Sequence, residues 1–480
     1  MPLTPFNIPT AHHLIGGTWT PANATIPVSD PSTGSPLTTI GRGTQADIDA
    51  AVTAAKNALD GAWGAMTALD RGRILTRIGK AVLTHVDALS ELESRDVGKP
   101  LTQAHADAVA LARYFEFYGG AADKITGETI PYQAGYTVYT LREPHGVTGH
   151  IIPWNYPMQI IGRSVGAALA MGNACVLKPA EDACLTAMAF GQIAIDAGLP
   201  AGALNIVTGL GAEAGVALSS HHEIAHMSFT GSVSTGEVIQ AAAAKNVIPV
   251  TLELGGKSPQ LVFDDADLDQ ALPFLVNAGI QNAGQTCSAS SRILVQRGVY
   301  KKVCDRMSEA YRALKVGPAT DDLNVGPLIS AGQKAIVMSF LAKGADLTIA
   351  AQGQILTDAA GHYVPPTLFS DVPPDHPLAQ DEIFGPVQVL IPFKDEAEAL
   401  RIANSTKFGL VASVWTMDGG RQMRLAKALK SGQVFINNYG AGGGVELPFG
   451  GVGKSGHGRE KGFEALYGFS TLKTVAAWHG

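Results

Sequence analysis

The chain has 480 residues, of which 46% are hydrophobic and 16% are charged, and its formal net charge at pH 7 is −7. This acidic balance supplies no basic surplus for a nucleic-acid backbone or an anionic membrane, and the hydrophobic content excludes a mainly disordered chain. At about 100–200 residues per domain, the length predicts two to four folding units.

Composition also points to a cellular compartment and a broad class. The sequence has neither an uninterrupted apolar run of about 18 residues nor an N-terminal cationic segment followed by an apolar one, so we expect a cytoplasmic protein without membrane spans. Its four cysteines are too few for a disulfide framework, and each is expected to be a free thiol. With 55 glycines and few charges, the chain resembles a compact, oligomeric α/β enzyme.

The first predicted element is a helix over residues 44–61, where apolar residues recur at helical spacing behind Thr44 and Asp47, a capping-box pair. After Tyr136, short strands alternate with longer helices. The predicted strands are 147–152, 174–178, 204–207, 225–229 and 250–254, and the predicted helices are 157–171, 184–197, 211–220 and 233–245. This alternation predicts βαβ units on a parallel sheet, where ligands bind at the carboxyl ends of the strands.

A Gly-Gly pair after residue 254 ends this series, and we predict a domain boundary there. A second strand–helix–strand series follows, with strands at 260–263 and 292–296 and a helix that begins at Leu268. The later segment 437–458 is dense in glycine. A loop of this length inside a compact domain is usually functional.

Two familiar motifs occur in an unsuitable context. His222 and His226 fit the zinc pattern H-E-x-x-H, which needs both imidazoles on one helical face, but a helix should end near residue 220, before a buried strand. A zinc hydrolase is therefore the disfavoured alternative. The pair Gly209 and Gly211 lacks the third glycine of the usual dinucleotide fingerprint, so a nicotinamide cofactor does not follow from that element.

Other residues suit chemistry at strand ends or in small-residue loops. Cys287 lies in Gly-Gln-Thr-Cys-Ser, where small neighbours give a substrate access to the sulfur. Glu253 lies at the end of a predicted strand, where a catalytic base would be placed. Its alternative role is that of a carboxylate in a salt bridge. Asn155, between two prolines, is an amide donor for an oxyanion or an ordinary turn residue. The turn from Phe229 to Gly236 leads into a helix whose free N–H groups suit a pyrophosphate.

Four sequence blocks occur together: Phe-Thr-Gly-Ser at 229–232, Leu-Glu-Leu-Gly-Gly-Lys-Ser-Pro at 252–259, Gly-Gln-Thr-Cys at 284–287 and Pro-Phe-Gly-Gly at 448–451. In this order, and over nearly its whole length, the chain resembles the NAD(P)-dependent aldehyde dehydrogenase superfamily. The resemblance implies a mechanism. The Cys287 thiolate attacks an aldehyde, the Asn155 side chain and the Cys287 N–H hold the oxyanion, and hydride passes to NAD. Glu253 then activates the water that hydrolyses the thioester to a free acid.

The resemblance also implies which residues hold the cofactor. Lys178 and Glu181 are assigned to the adenosine ribose. The assigned contacts of the pyrophosphate and the nicotinamide ribose are Trp154, Gly231, Ser232, Glu382 and Phe384. A carboxylate at position 181 accepts hydrogen bonds from a ribose 2′-hydroxyl but repels a 2′-phosphate, so we expect NAD to be preferred over NADP.

The implied substrate pocket consists of Tyr156, Arg163, Gln281, Ser288, Gly443 and Phe449. Arg163 matches an arginine with which semialdehyde dehydrogenases bind a substrate carboxylate, although Gln281 stands where those enzymes often carry a second arginine. We therefore expect a semialdehyde or another polar aldehyde, and a structural salt bridge is the alternative role of Arg163. The alternative function is a broad-specificity aliphatic or aromatic aldehyde dehydrogenase. A catalytically silent binding protein has no support in the sequence.

The resemblance further implies three domains. They are a Rossmann-like NAD-binding domain with a parallel sheet, an α/β catalytic domain, and a small β oligomerisation arm. The assigned ranges are 1–122 and 144–254 for the NAD-binding domain, 255–458 for the catalytic domain, and 123–143 with 459–480 for the arm. Arms of this kind pair subunits into homodimers or homotetramers.

Overall fold

The structure is a computed structural model that describes residue 6, residues 8–440 and residues 444–480. The described part of the chain contains two large sheets, each with its own apolar core, and a separate pair of long strands. Within that part, no helix has both the length and the hydropathy needed to cross a membrane.

Strands and helices are numbered here in chain order. The described strands are β1 (His12–Ile15), β2 (Thr18–Pro21), β3 (Thr25–Ser29), β4 (Pro36–Gly41), β5 (Tyr136–Pro144), β6 (Val147–Ile152), β7 (Ala174–Pro179), β8 (Leu204–Ile206), β9 (His226–Thr230), β10 (Val250–Glu253), β11 (Pro259–Val262), β12 (Arg292–Gln296), β13 (Lys315–Val316), β14 (Thr348–Gln352), β15 (Gln354–Ile355), β16 (Thr367–Ser370), β17 (Val387–Phe393), β18 (Val411–Trp415), β19 (Gln433–Ile436), β20 (Gly456–His457) and β21 (Ser470–Trp478). The described α-helices are α1 (Gln45–Asp60), α2 (Ala68–Thr84), α3 (Val86–Val97), α4 (Leu101–Ala121), α5 (Pro157–Ile160), α6 (Gly166–Ala170), α7 (Leu185–Asp196), α8 (Val216–Ser220), α9 (Val233–Asn246), α10 (Leu268–Ile280), α11 (Arg297–Ala313), α12 (Ala331–Lys343), α13 (Pro377–Gln380), α14 (Glu396–Ala403), α15 (Gly419–Ala428) and α16 (Gly462–Gly468).

The first sheet has the strand order β2-β1-β8-β7-β6-β9-β10-β20. Its five inner strands, from β8 to β10, run parallel, whereas β1, β2 and β20 pair with their neighbours antiparallel. The predicted alternation of strands and helices is confirmed. Strand β6 has the predicted bounds, and the other four predicted strands differ by one residue at one or both ends.

The predicted helices are present, with one difference in their geometry. Helix α1 begins after Thr44, whose backbone N–H donates to Asp47 Oδ2 at 2.8 Å as the capping box requires. The predicted helices at 157–171 and 211–220 each contain a wider π-helical turn, at Ile161–Val165 and at Gly211–Gly215. Such turns are not encoded by apolar periodicity, and they occur often at functional sites.

The second sheet has the order β14-β16-β17-β12-β11-β18-β19, and β14 is its one antiparallel member. Strand β12 has the predicted bounds, and β11 lies one residue before its predicted position. Helix α10 begins at Leu268 as predicted, because the Asp267 carboxylate accepts the N–H groups of the first turn. The predicted α/β fold is therefore confirmed.

The last part of the chain contributes to more than one unit. Strands β5 and β21 pair antiparallel from Pro144 opposite Ser470 to Tyr136 opposite Trp478. Strand β20, in the range predicted for the catalytic domain, extends the first sheet through β10. Helix α16, in the range predicted for the arm, buries Ala465 and Leu466 in the core of the first sheet. Pairing and apolar burial thus attach both elements to the first unit.

Candidate active site

A cavity of about 330 Å³ lies where the carboxyl ends of three neighbouring strands of the first sheet face residues of the second unit. Asn155 follows β6, Gly231 follows β9 and Glu253 is the last residue of β10. Cys287, between α10 and β12, reaches the same cavity from the other side. The cavity therefore lies at the edge of the sheet where ligands of parallel α/β folds bind.

The loop that carries Cys287 has an unusual backbone. Asn282, Ala283 and Gly284 all have positive φ angles, of 49°, 54° and 72°. A Cβ atom on Gly284 would lie 2.1 Å from the carbonyl oxygen of Gly385, so only glycine fits between the two loops. Burial raises the pKa of the Cys287 thiol to about 12, because it disfavours the thiolate more than the nearby Arg163 guanidinium favours it.

Asn155 is buried and fixed to the thiol loop from both ends. Its side-chain Nδ2 donates to the backbone carbonyl of Gln285 at 2.9 Å. Its backbone carbonyl accepts a hydrogen bond from Asn282 Nδ2 at 3.0 Å. An amide nitrogen carries two N–H donors, so one remains after the Gln285 bond is made. The arrangement holds an amide donor next to the loop of the sulfur.

Glu253 is fully buried at the end of β10. Neither of its carboxylate oxygens has a hydrogen-bond partner among the described residues. Burial raises the pKa of Glu253 well above its usual value, and the neighbouring Glu460 raises it further, while Arg163 acts in the opposite direction. A carboxyl group of this kind is suited to accept or deliver a proton.

Glu382 and two aromatic rings form another part of the cavity wall. Glu382 Oε1 accepts the N–H of Gly256 at 2.9 Å, and burial raises the pKa of this carboxyl to about 7. A Cβ on Gly255 would lie 2.0 Å from Glu382 Oε2, so the backbone passes directly beneath the carboxylate. The Trp154 and Phe384 rings meet edge to face with their centroids 5.4 Å apart. Polar and aromatic groups in this arrangement fit a nucleoside of a dinucleotide cofactor.

Gly231 and Ser232 also line the cavity, at the start of α9, where the Ser232 hydroxyl accepts the N–H of Thr235 at 3.2 Å. Lys178 and Glu181 lie at the carboxyl end of β7 and form an ion pair at 2.8 Å, outside the wall of this cavity. Burial acts to raise the pKa of Glu181, but the Lys178 charge together with the hydrogen bonds from Lys178 and from backbone N–H groups outweighs it, and the net pKa is lowered. Glu181 is therefore a carboxylate at neutral pH.

Arg163 lines the cavity and also forms a salt bridge, the feature that its alternative, structural role predicts. Its guanidinium forms a buried ion pair with Glu460, and its central carbon lies 4.9 Å from the centre of the Phe449 ring. Burial opposes the charged form, but Glu460, with smaller contributions from Glu253, Cys287 and Tyr114, raises the pKa of Arg163 above its ordinary value. Arg163 lies within the wide turn Ile161–Val165, and its guanidinium pairs with Glu460 of the C-terminal segment.

The remaining predicted pocket residues are distributed as follows. Tyr156 lines the cavity, and the Lys99 ammonium lies 4.0 Å from the centre of its ring. Gln281 and Ser288 line both this cavity and an adjoining one of about 670 Å³. Gly443 lies outside the described residues.

The zinc motif is divided between a loop and a strand, as the sequence predicts. His222 follows the end of α8 and is exposed, whereas His226 is the first residue of β9 and is buried. His226 Nε2 lies 3.3 Å from the Thr251 hydroxyl. The two imidazoles therefore do not share a helical face.

Sequence reasoning missed two charged residues of the site, Glu460 and Lys461. Both are fully buried, and Lys461 lines the cavity beside Arg163 and Phe449. The available signal was the charged triplet from Arg459 to Lys461, directly after the glycine-rich segment. Charged triplets are usually solvated, so the sequence alone gave no reason to place this one inside.

Comparison with known proteins agrees with this geometry. Residues 19–475 match the model of the Aldehyde dehydrogenase family. Aldehyde dehydrogenase family 2 member B4, mitochondrial, of Arabidopsis thaliana is 45% identical over 459 residues, which cover 94% of this chain and 85% of that protein. The chain belongs to the aldehyde dehydrogenase family.

Two solved structures are similar to this chain in both sequence and fold. A protein from Burkholderia cenocepacia assigned as an aldehyde dehydrogenase is 62% identical, with a TM-score of 0.97 over 98% of this chain and 100% of that one. The NAD⁺ complex of an aldehyde dehydrogenase from Bacillus cereus is 37% identical, with a TM-score of 0.96 over 98% of this chain and 97% of that one. The aldehyde dehydrogenase therefore shares both sequence and fold with these proteins.

Proposed function

We propose that this aldehyde dehydrogenase oxidises an aldehyde to a carboxylic acid, with NAD as the oxidant and Cys287 as the nucleophile. One observation carries the proposal: the sulfur, the Asn155 loop and the Glu253 carboxyl meet in a single cavity. The same cavity is lined by Glu382 and Phe384, which suit the nicotinamide ribose. Nucleophile, oxyanion donor, base and cofactor contacts are the parts that this reaction needs.

In the first step, the Cys287 sulfur adds to the aldehyde carbon as a thiolate. The carbonyl oxygen becomes an oxyanion, which the free N–H of the Asn155 amide and the Cys287 backbone N–H stabilise. Burial holds the thiol neutral in the free site, so its proton must leave for the addition to occur. Glu253 is the proposed acceptor of that proton.

The second half of the reaction converts the thiohemiacetal on Cys287 to a thioester and then to an acid. When bound, NAD supplies the acceptor for the hydride that leaves the former aldehyde carbon. Glu253 first releases the thiol proton to solvent, and its carboxylate then takes a proton from water. The resulting hydroxide attacks the thioester and releases the sulfur as a thiolate, which is reprotonated by Glu253. The sum is aldehyde, water and NAD⁺ giving carboxylic acid, NADH and a proton. Glu253 thus favours hydrolysis over transfer to coenzyme A.

For the cofactor we propose that the first unit, residues 1–122 and 144–254 together with β20 and α16, holds NAD. Lys178 and Glu181 bind the adenosine ribose. The proposed contacts of the pyrophosphate and the nicotinamide ribose are Trp154, Gly231, Ser232, Glu382 and Phe384. The lack of room for a Cβ at Gly255 supports this assignment, since it brings backbone and the Glu382 carboxylate close together. The ionised Glu181 favours NAD over NADP.

For the substrate we propose a semialdehyde or another polar aldehyde. The tail of the substrate occupies the wall formed by Tyr156, Gln281, Ser288 and Phe449, and residue 443 belongs to the same predicted set. Arg163 is bound to Glu460, so it contributes its charge to this wall without offering its whole guanidinium to a ligand. The second candidate is a broad-specificity aliphatic or aromatic aldehyde dehydrogenase, which the ring of Phe449 favours.

The decisive experiment follows NADH absorbance with a panel of aliphatic, aromatic, amino- and carboxy-aldehydes. Cys287→Ala is expected to lower kcat/KM by at least about 10⁴-fold, because it removes the nucleophile. Cys304→Ala is the matched control, since Cys304 lies on α11 away from the cavity, and it should retain the parent rate. Oxidation by Cys287→Ala at the parent rate would overturn the proposal.

We also propose that the protein is a cytoplasmic homodimer or homotetramer that assembles through the arm of residues 123–143 and 459–480. Leu472 and Trp478 on β21 are exposed in the single chain, by 54% and 65%. Burial of such apolar area is the usual driving force of subunit association. Light scattering after size exclusion should give a multiple of 49.9 kDa, and the mass of one chain would contradict the assembly.

A further inference from the structure

Lys461 occupies an unusual position in the cavity wall. It lies between β20 and α16, its side chain is buried, and it lines the cavity that contains Cys287. Its backbone φ is +64°, in the left-handed region that side chains other than glycine rarely adopt. Backbone strain of this kind tends to persist where a side chain is needed for function.

The surroundings of Lys461 concentrate positive charge at one place on the wall. Its Nζ atom lies 5.6 Å from the centre of the Phe449 ring, and the Arg163 guanidinium carbon lies 4.9 Å from the same centre. The ring is thus bordered by two cations. A substrate whose alkyl chain contacts Phe449 would bring its far end close to positive charge.

Two of the acidic groups around these cations are already paired or carry little charge. Glu460 forms the ion pair with Arg163, and burial raises the pKa of Glu253 well above its usual value, which disfavours its charged form. Burial also holds the Cys287 thiol neutral. In this environment an anion would be attracted by both cations and repelled by few charges.

We propose that Lys461, with the Phe449 ring and the Arg163 charge beside it, forms a carboxylate-binding subsite that selects aldehydes with an anionic tail. The inference rests on the proposed function, which supplies the aldehyde chemistry, and it adds the residue that recognises the tail. An ammonium–carboxylate contact away from water is a strong, charge-assisted interaction. Lys461 is a specificity-determining residue that does not itself react.

The test uses substrates that differ only in charge. Succinic semialdehyde is compared with butanal, and glutaric semialdehyde with pentanal, and the readout is the ratio of kcat/KM for the acid to that for the neutral aldehyde. Any general loss of activity cancels in this ratio. We expect the parent enzyme to prefer the acid, and Lys461→Met to lower the ratio by at least about tenfold.

Two further variants separate recognition from structure. Lys461→Arg keeps the positive charge and should keep the preference for the acid. Lys454→Met removes a lysine of the same segment that lies outside the cavity and pairs with Glu237 at 2.6 Å, and it should leave the ratio unchanged. A parent enzyme that prefers the neutral aldehydes, or a Lys461→Met ratio within about twofold of the parent, would overturn the subsite.

A pH series tests the subsite without any substitution. Burial, followed by the repulsion of Arg163, lowers the pKa of Lys461 to about 8, whereas Cys287, Glu460 and Glu253 favour its charged form. The preference for the acid should therefore be larger at pH 7 than at pH 9 in the parent and similar at both pH values in Lys461→Arg. A parent ratio that does not change between these pH values contradicts the inference. If no aldehyde of the panel yields NADH, the proposed function itself has failed.

Discussion

Two clusters of buried charge differ in how completely their polar atoms are bonded: one lies in the wall of the active-site cavity, and the other, around Lys99, contacts that wall through Tyr156 and Gln159. In the Lys99 cluster, the ammonium lies between the carboxylates of Glu93 and Asp107, which also accept hydrogen bonds from Thr186 and Gln159. The thiol cluster consists of Glu253, Arg163, Glu460 and Lys461. Among the described residues, neither Glu253 oxygen has a hydrogen-bond partner, and the same holds for Arg163 Nη2.

This difference separates charges that hold the fold from charges that are open to a ligand. Substitution of a buried ion whose hydrogen bonds are all made destabilises the fold, because it leaves the partner charge buried without compensation. A buried group that lacks partners costs stability and is retained where it serves a reaction. Substitution in the thiol cluster should therefore affect turnover, and substitution in the Lys99 cluster should affect stability.

The largest effect is expected from Glu253→Gln. Its amide cannot take a proton from water, so steady-state turnover should fall by about 10²- to 10⁴-fold. Hydride transfer precedes hydrolysis, so rapid mixing should show up to one NADH per active site before the slow phase, formed more slowly than in the parent because Glu253 is also the proposed acceptor of the thiol proton. The free energy of unfolding should not decrease, because an unsatisfied carboxyl is replaced by a neutral group of the same shape.

Glu237→Gln is the control for this variant, since Glu237 is exposed and pairs only with the surface residue Lys454 among the ion pairs of the described chain. It should turn over at the parent rate. Parent-like turnover of Glu253→Gln would remove Glu253 from the reaction, and a marked loss of stability would place it with the structural cluster instead.

The second largest effect is expected in the Lys99 cluster, and it concerns stability. Lys99→Met leaves Glu93 and Asp107 buried without their cation, and we expect it to lower the free energy of unfolding by about 3–5 kcal/mol. Chemical denaturation measures this change. Lys301→Met, which removes a lysine from an exposed i,i+4 pair, should change it by less than about 0.5 kcal/mol. Equal effects of the two variants would show that the Lys99 cluster does not hold the fold.

The smallest effect is expected for cofactor preference, at the partly exposed ion pair of Lys178 and Glu181. Glu181 is one-third exposed and bonded to Lys178 and to the N–H of Gly211, at 2.8 Å and 3.1 Å. Glu181→Gln removes the charge that repels a 2′-phosphate, and we expect the preference of kcat/KM for NAD over NADP to narrow by about tenfold. If the parent uses both cofactors equally well, Glu181 does not select between them.

The sequence predicts elements whose signals are local. Strands β6 and β12 have their predicted bounds, and α1 and α10 begin where capping side chains stand. The convergence of Asn155, Glu253 and Cys287 on one cavity also agrees with prediction, because strand ends and a family resemblance both point to it.

The thiol cluster could not be predicted in the same way. Arg163 and Glu460 lie far apart in the chain, and nothing near either residue indicates that they form a buried pair. The π-helical turn that contains Arg163 does not show in the apolar periodicity. Attachment of β20 and α16 to the first unit likewise depends on tertiary pairing that follows no local pattern.

The close approach at Gly284 has a consequence for how the two halves of the cavity are held together. The backbone of the thiol loop rests on the carbonyl of Gly385, next to Phe384 and three positions from Glu382 in the neighbouring loop. Any side chain at position 284 would push the two loops apart. The spacing from the sulfur to the carboxylate on the opposite wall is thus fixed by the smallest possible substituent, a single hydrogen atom.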